Sequence, residues 1–495
     1  MTGAIYKKHI AVVLVLLLVG ACTVNPATGK KEFTPFMTPS QEAAIGAREH
    51  PKLVAEFGGK YEDQVLAAYV EEVGDRLAAA SEMPGTDFSF TLLNSPIVNA
   101  FALPGGYVHI SRGLMAYFSD EAEMASVLGH EIGHITARHA ANRYTKSIFF
   151  GGLAAGAGWL IKNQDLASLV GGGAQLYLLS YSRKQESQSD ELGLRYMLKT
   201  THDPMGSVRM LEALQTTAAY EAQKQGRGTD QTPNLFRTHP LTSKRIEDQQ
   251  TRIDALDPQP TTRNRNRDRY LDAIDGMMFG DDPAQGVIRG DDFLHKGFRL
   301  AFTAPSGFAL MNTASVVVGL GPDDVRFFFT GGEISPNTTN RFYLDQAWAS
   351  LFEGDPPAPL GNIRTLSSRG MDGITGIARL TSEGGELDVR LVAWRYDGAH
   401  AYHFVLIIPA ARTSKYAPRL GQMTDSFRKL SSSEAAAIRP LRIRVITVQP
   451  GDTVSSLAGR MEVWEYREEL FRALNGLGDG ETLTSGQRVK IVIEG

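Results

Sequence analysis

His130 and His134 stand one helical turn apart, with Glu131 beside the first, in the run His130-Glu131-Ile132-Gly133-His134. On a helix both imidazoles leave the same face, and Glu131 lies within reach of a water bound to the cation the histidines hold. Those residue types at that spacing predict a zinc hydrolase, with two imidazole ligands and a carboxylate placed to take a proton from the water. With 11 His in 495 residues such a run arises by accident in roughly one or two chains per hundred, so the flanks decide. Ser119-Asp120-Glu121-Ala122-Glu123 offers N-cap oxygens and a capping-box-like Asp120/Glu123 pair, and Met124, Val127, Leu128, Ile132 and Ile135 recur at helical spacing. The motif therefore belongs to a mostly buried helix, where a carboxylate between two histidines is costly unless a cation answers it.

A catalytic zinc needs a third protein ligand and keeps a fourth position open. Downstream, Glu186 and Asp190 are four residues apart and so share a helical face. Glu186 is the expected ligand, completing a set of His130, His134 and Glu186 around one Zn2+ per chain. Asp190, a turn later, is placed to accept the free N–H of a ligand histidine and fix its tautomer.

Four segments in order carry a specific resemblance. They are Asn99-Ala100-Phe101-Ala102-Leu103-Pro104-Gly105-Gly106-Tyr107-Val108-His109-Ile110, the His130 to His134 helix, the Glu186/Asp190 helix and Thr238-His239-Pro240-Leu241. Over roughly residues 23 to 255 the chain resembles the M48 family of zinc metallopeptidases, in the branch of bacterial periplasmic lipoproteins. One departure is local: Gln188 and Ser189 stand where the family usually has an acidic residue and an alanine. The resemblance implies a mainly helical zincin-type domain with a small β-sheet, and hydrolysis of polypeptides without a covalent intermediate, Glu131 acting as general base. It brings His239 near the metal, either filling the open position in a latched state or stabilising the oxyanion when displaced; a loop histidine bonded only to its neighbours is the alternative. The strand around Gly105-Gly106-Tyr107-Val108 is expected to offer an edge on which an extended substrate adds, a core strand with a turn being the alternative.

Lys7, Lys8 and the apolar run from Ile10 to Val19 form a signal-peptide pattern over residues 1–21, and Val19-Gly20-Ala21-Cys22 reads as a lipobox cleaved before Cys22. Cys22, the sole cysteine, is the expected lipid attachment site and membrane anchor, and no intramolecular disulfide can form. Thr23 after the cysteine resembles the bacterial sorting pattern for the outer membrane, facing the periplasm.

Beyond this domain, 22–255, the chain is expected to be α+β and multidomain. Asp257-Pro258-Gln259-Pro260 and the spaced Arg263, Arg265, Arg267 and Arg269 read as a solvated linker over 256–290. An α+β domain follows over 291–440, with strands at Phe298 to Phe302, Val316 to Leu320, Val325 to Phe329 and Tyr402 to Ile408, and helices near Leu344 to Leu351 and Arg419 to Phe427. It holds no metal or nucleophile constellation, and His400 and His403 are read as structural. Residues 441–495, with Gln449-Pro450-Gly451-Asp452-Thr453 and Leu483-Thr484-Ser485-Gly486-Gln487, resemble a LysM module, a small βααβ unit that implies binding of peptidoglycan glycan or a purely structural role. The small-residue apolar runs Phe149 to Leu160 and Val170 to Ala174 are read as close-packed core helices, with a membrane-dipping hairpin as the alternative. A net charge of −4 gives no bias toward nucleic acid, and none is expected as a partner.

Three functions from different classes fit these residues: a cell-envelope zinc endopeptidase acting in quality control of envelope or outer-membrane proteins, a metal-dependent peptidoglycan hydrolase, and a mainly non-catalytic assembly factor.

Overall fold

A computed structural model describes residues 22–33, 37–143, 180–224, 239–240, 242–261, 263–352, 356–382, 384–463, 465–478 and 480–495. Residues 1–21, both small-residue apolar runs, and Thr238 and Leu241 lie outside the described residues. Cys22 begins a short strand, β1 (Cys22–Val24), paired antiparallel with β2 (Lys31–Phe33). Among the described residues no helix is long and apolar enough to cross a membrane.

The N-terminal unit packs helices α1 (Pro39–Glu56) and α2 (Gln64–Ala79) with a three-stranded sheet, β3 (Ser89–Leu93), β4 (Ala100–Leu103) and β5 (Tyr107–Ser111). The stretch expected as one edge strand is a hairpin. Gly105 and Gly106 take φ of 87° and 102°, which only glycine adopts freely, and turn β4 back onto β5. The sheet order is β3-β5-β4, so the strand bearing Val108 is central and already paired on both sides. The edge-strand expectation is therefore corrected to β4, whose second edge pairs with no strand among the described residues.

After a short α3 (Arg112–Met115) comes α4 (Glu121–Thr136), capped by the Asp120 carboxylate on the Glu123 N–H and buried along its whole length. It crosses α5 (Arg183–Lys199), which opens on a capping box between Ser182 and Gln185. The crossing is backbone against backbone. A Cβ on Gly193 would lie 2.9 Å from the His130 backbone nitrogen, and one on Gly129 or Gly133 would come within 3.2 Å of the Gly193 or Ser189 Cα. Helices α6 (Gly206–Lys224) and α7 (Ser243–Asp254) complete this unit.

Residues 256–290 are a solvated segment only up to about residue 266. Beyond it they form α8 (Arg267–Ile274) and β6 (Met278–Phe279), and Tyr270, Leu271 and Ile274 are fully buried in the same core as α2 and α4. Of the arginines read as a solvated strip, Arg263, Arg265 and Arg269 are exposed, yet two of them also reach acidic groups at the start of α4: Arg265 Nε lies 2.6 Å from Asp120 Oδ2, and Arg269 Nη1 lies 3.2 Å from Glu121 Oε2. Arg267 donates to the Ser119 carbonyl and to the Arg488 carbonyl. The polar composition that suggested a linker is a clamp on buried carboxylates.

The middle unit is built on a seven-stranded antiparallel sheet. In spatial order this is β10 (Ala309–Asn312), β11 (Val317–Leu320), β12 (Arg326–Glu333), β16 (His400–Pro409), β15 (Gly385–Arg395), β14 (Met371–Ser382) and β13 (Gly361–Ser368). Period-two alternation sends Phe327, Phe329, Val392, Trp394, Phe404 and Leu406 to one face. Phe328, Leu391, Ala393 and Val405 go to the other, under helix α9 (Asn340–Ala349). Helix α10 (Thr413–Ser426) covers the first face together with a four-stranded sheet containing β7 (Val287–Arg289), β8 (Asp292–His295), β9 (Leu300–Thr303) and β17 (Arg428–Lys429). The longest strands, β14 and β15, are not among the strands read from the sequence; within β14 a Cβ on Gly373 would strike Trp394. His403 bonds Tyr343 and His400 bonds Asp397, both structural contacts.

A short α11 (Ser432–Ala436) leads to the C-terminal βααβ unit: β18 (Leu441–Thr447), α12 (Val454–Gly459), α13 (Arg467–Asn475) and β19 (Arg488–Glu494). Its sheet is extended by β6, and Leu470, Phe471, Leu474, Ile491 and Val492 share one core with Phe118 and Tyr270. Lys490, 1% exposed, donates to the Ala116 carbonyl at 2.8 Å and also to that of Phe118, just ahead of α4.

Two substitutions test these packings. Gly193→Val should force α4 and α5 apart, lower stability by about 1–3 kcal/mol and strip bound metal, measured by thermal unfolding and elemental analysis. Lys490→Met strands two buried carbonyls and should lower the melting temperature of the N-terminal and C-terminal units together, at a cost of about 1–3 kcal/mol. A calorimetric scan in which the C-terminal unit melts alone, leaving the other transition unmoved, contradicts that coupling.

Candidate metal centre

The helix crossing fixes what faces what. With α4 and α5 in backbone contact at Gly129, Gly133 and Gly193, the inward faces bring His130, His134 and Glu186 together, and the segment ahead of α7 delivers His239. One ligand atom from each of these four buried residues falls within 4.8 Å of all the others. His130 Nε2 is 3.0 Å from His134 Nε2 and 3.3 Å from His239 Nδ1, while Glu186 Oε1 is 3.1 Å from His239 Nδ1 and 3.5 Å from His134 Nε2.

Asp190 stands where the spacing placed it, its Oδ1 2.9 Å from His130 Nδ1. That contact puts the ring proton on Nδ1 and turns the Nε2 lone pair into the cluster. Glu131 is 1% exposed; its Oε1 lies 3.5 Å from His239 Nε2 and its Oε2 has no hydrogen-bond partner. His239 Nε2 is likewise buried without a partner.

The electrostatics favour a cation. Burial raises the Glu131 pKa above the ordinary carboxylate range, with His239 and His130 opposing it. Burial would also raise Glu186, but the neighbouring histidines outweigh it and hold that carboxyl well below its usual value. Around His130 burial is outweighed by Asp190 and Glu186, which push the imidazole up to about 10. The surroundings of that ring thus attract positive charge. Crowded nitrogen lone pairs and a carboxylate are satisfied together by one divalent ion, and a three-histidine, one-carboxylate donor set suits zinc.

Several participants were not anticipated. Arg245 on α7 forks onto Asp190, with Nη2 at 2.7 Å from Oδ1 and Nε at 2.8 Å from Oδ2, and its Nη1 is 2.9 Å from Glu186 Oε2. Burial opposes the ionised form of Asp190, yet Arg245 outweighs it and draws that pKa down to about 2. The sequence did contain a signal for Arg245: two buried carboxylates on one helix face require a balancing cation. Tyr181 stacks on His134 with ring centroids 3.8 Å apart, and His139 touches His134 from behind. Neither has a periodic signal, because both approach from outside α4.

Residues 64–253 match Peptidase family M48, and residues 446–492 match the LysM domain. The chain is 31% identical over 213 residues to the beta-barrel assembly-enhancing protease of Yersinia pestis, covering 41% of this chain and 42% of that one. It is 29% identical over 218 residues to the protein of that name in Escherichia coli K12, covering 42% and 43%. It is 34% identical over 169 residues to the mitochondrial metalloendopeptidase OMA1 of Arabidopsis thaliana, covering 34% and 32%. The chain thus spans less than half the length of these curated relatives. A solved structure of LpqN, involved in cell envelope biogenesis of Mycobacterium tuberculosis, overlaps 27% of this chain and 83% of its own with a TM-score of 0.23 and 10% identity, too slight a likeness to bear on function. The buried histidine and carboxylate cluster lies inside the region that matches Peptidase family M48, and the C-terminal βααβ unit is the region that matches the LysM domain.

Proposed function

We propose that the chain is a zinc-dependent endopeptidase of the bacterial cell envelope that hydrolyses polypeptides, with His130, His134 and Glu186 holding the metal. The observation that carries this reading is the convergence of four donor atoms within 4.8 Å beside a buried carboxylate with a free oxygen. Zinc in this cluster supplies Lewis acidity, polarising a scissile carbonyl and acidifying a water.

The chain's own residues do the rest. Glu131, its pKa raised by burial, takes the water's proton and passes it to the leaving amine. Asp190 holds His130 in the ligating tautomer, and Arg245 keeps Asp190 and Glu186 ionised in a buried site. Strand β4, unpaired on its outer side among the described residues and packed near α4, is where an extended substrate adds as a further strand. His239, drawn in among the ligands, fills the fourth position in a latched state.

Residues 446–492 hold the enzyme against peptidoglycan glycan, and lipid on Cys22 anchors it to the outer membrane on the periplasmic side. Its substrates are misassembled envelope or outer-membrane proteins, a reading favoured by its likeness to the beta-barrel assembly-enhancing proteases.

Three measurements test this. Glu131→Gln should keep one zinc per chain by elemental analysis while casein cleavage falls by a factor of about 10²–10⁴. His239→Ala should raise casein cleavage; a loss instead assigns His239 to oxyanion stabilisation. Cys22→Ser should move the protein from the membrane to the soluble fraction of cells. Wild type that digests purified peptidoglycan but no polypeptide replaces this reading with a glycan-strand or cross-link hydrolase.

A further inference from the structure

His134 has one ring nitrogen in the donor cluster and one turned away from it. The outward atom, Nδ1, lies 2.9 Å from His139 Nδ1, and the other nitrogen of His139, Nε2, lies 3.2 Å from Gln188 Oε1. Ser189 Oγ is 3.4 Å from His139 Nδ1. His139 is 2% exposed, and both Gln188 and Ser189 sit on α5 between Glu186 and Asp190.

The backbone explains how His139 reaches this position. Five residues beyond His134 on a continuous helix it would point roughly 140° away. Instead α4 ends at Thr136, and Arg138 takes φ of 51°, a left-handed conformation that turns the chain. Arg138 is held there by Glu42 and by the Met37 carbonyl.

These contacts have a direction. An amide oxygen only accepts, so His139 Nε2 carries the proton of its ring. A neutral imidazole has one such proton, which leaves His139 Nδ1 an acceptor, able to bond only a nitrogen that donates. His134 Nδ1 therefore bears the His134 proton, and His134 Nε2, 3.5 Å from Glu186 Oε1, presents a bare lone pair to the cluster. The reverse polarity places a proton on His134 Nε2, pointing into the metal position.

We propose that Gln188 and His139 form a positioning relay that fixes the ligating tautomer of His134, as Asp190 does for His130. The relay rests on the reading that this cluster holds zinc. It requires an acceptor at position 188 and nothing else of that side chain.

The test is zinc affinity of the full chain, by competition with a chromophoric chelator, together with the melting temperature of the metal-free protein. Gln188→Glu, which only accepts, should bind zinc at least as tightly as wild type. Gln188→Met, close in volume but without an acceptor, should bind about 10–100-fold more weakly, as should His139→Phe. The metal-free Gln188 variants should melt within a few degrees of wild type. Equal weakening by Gln188→Glu and Gln188→Met, or no weakening by Gln188→Met, overturns the relay. A folded wild type that takes up no zinc overturns instead the metal reading on which the relay stands.

Discussion

The metal cluster depends on how closely two helices can approach. His130 and His134 come from α4 and Glu186 from α5, and side chains as short as these converge only if the axes nearly touch. Gly129, Gly133 and Gly193 remove the side chains that would hold the helices apart, and a methyl group on Gly193 would already press on the His130 backbone. The crossing also fixes the supporting contacts. Asp190, one turn past Glu186, reaches His130, and Gln188 and Ser189 reach His139, because the same short separation runs along the contact.

A second constraint acts at the other end of α4. Asp120, Glu121 and Glu123 are buried there, in the region where the helix dipole favours negative charge, but three carboxylates exceed what a dipole can answer. Arg76 from α2, Arg209 from α6 and Arg265 and Arg269 around the start of α8 supply the remaining charge, and Tyr69, His202 and Asn266 add hydrogen bonds to Glu121. Lys490 of the C-terminal unit reaches the carbonyls immediately before the helix. The helix that carries the chemistry is thereby tied to chain segments more than 300 residues apart. The LysM domain is part of the same packed core rather than a tethered appendage.

The residues visible to sequence reading share a property: their relation to one another is local. His130, Glu131 and His134 are set by helical spacing, as are Glu186 and Asp190, and Asp120 caps α4 as its position suggested. His139 was hidden because a left-handed residue, Arg138, breaks the period between it and His134. Arg245 was hidden because its partners lie 55 and more residues away. Arg265 and Arg269 are exposed as the composition suggested, but their pairing with Asp120 and Glu121 was hidden because composition reports polarity and not the carboxylates that polarity meets. Strands β14 and β15 were not read from the sequence, and in β14 Gly373 and Gly376 make room for Trp394 and Ile363 across the sheet.

The sequence by itself placed His130, Glu131 and His134 on one helix and Glu186 and Asp190 on another, since each set follows from spacing within one segment, while the βααβ character of the C-terminus came from its resemblance to a LysM module. Only the tertiary structure decided that β4 rather than β5 is the sheet edge, that residues 267–279 belong to the core and that His239 enters the cluster. Those outcomes turn on which distant surfaces bury each other. That choice depends on shape and charge matching between segments, which no local pattern encodes.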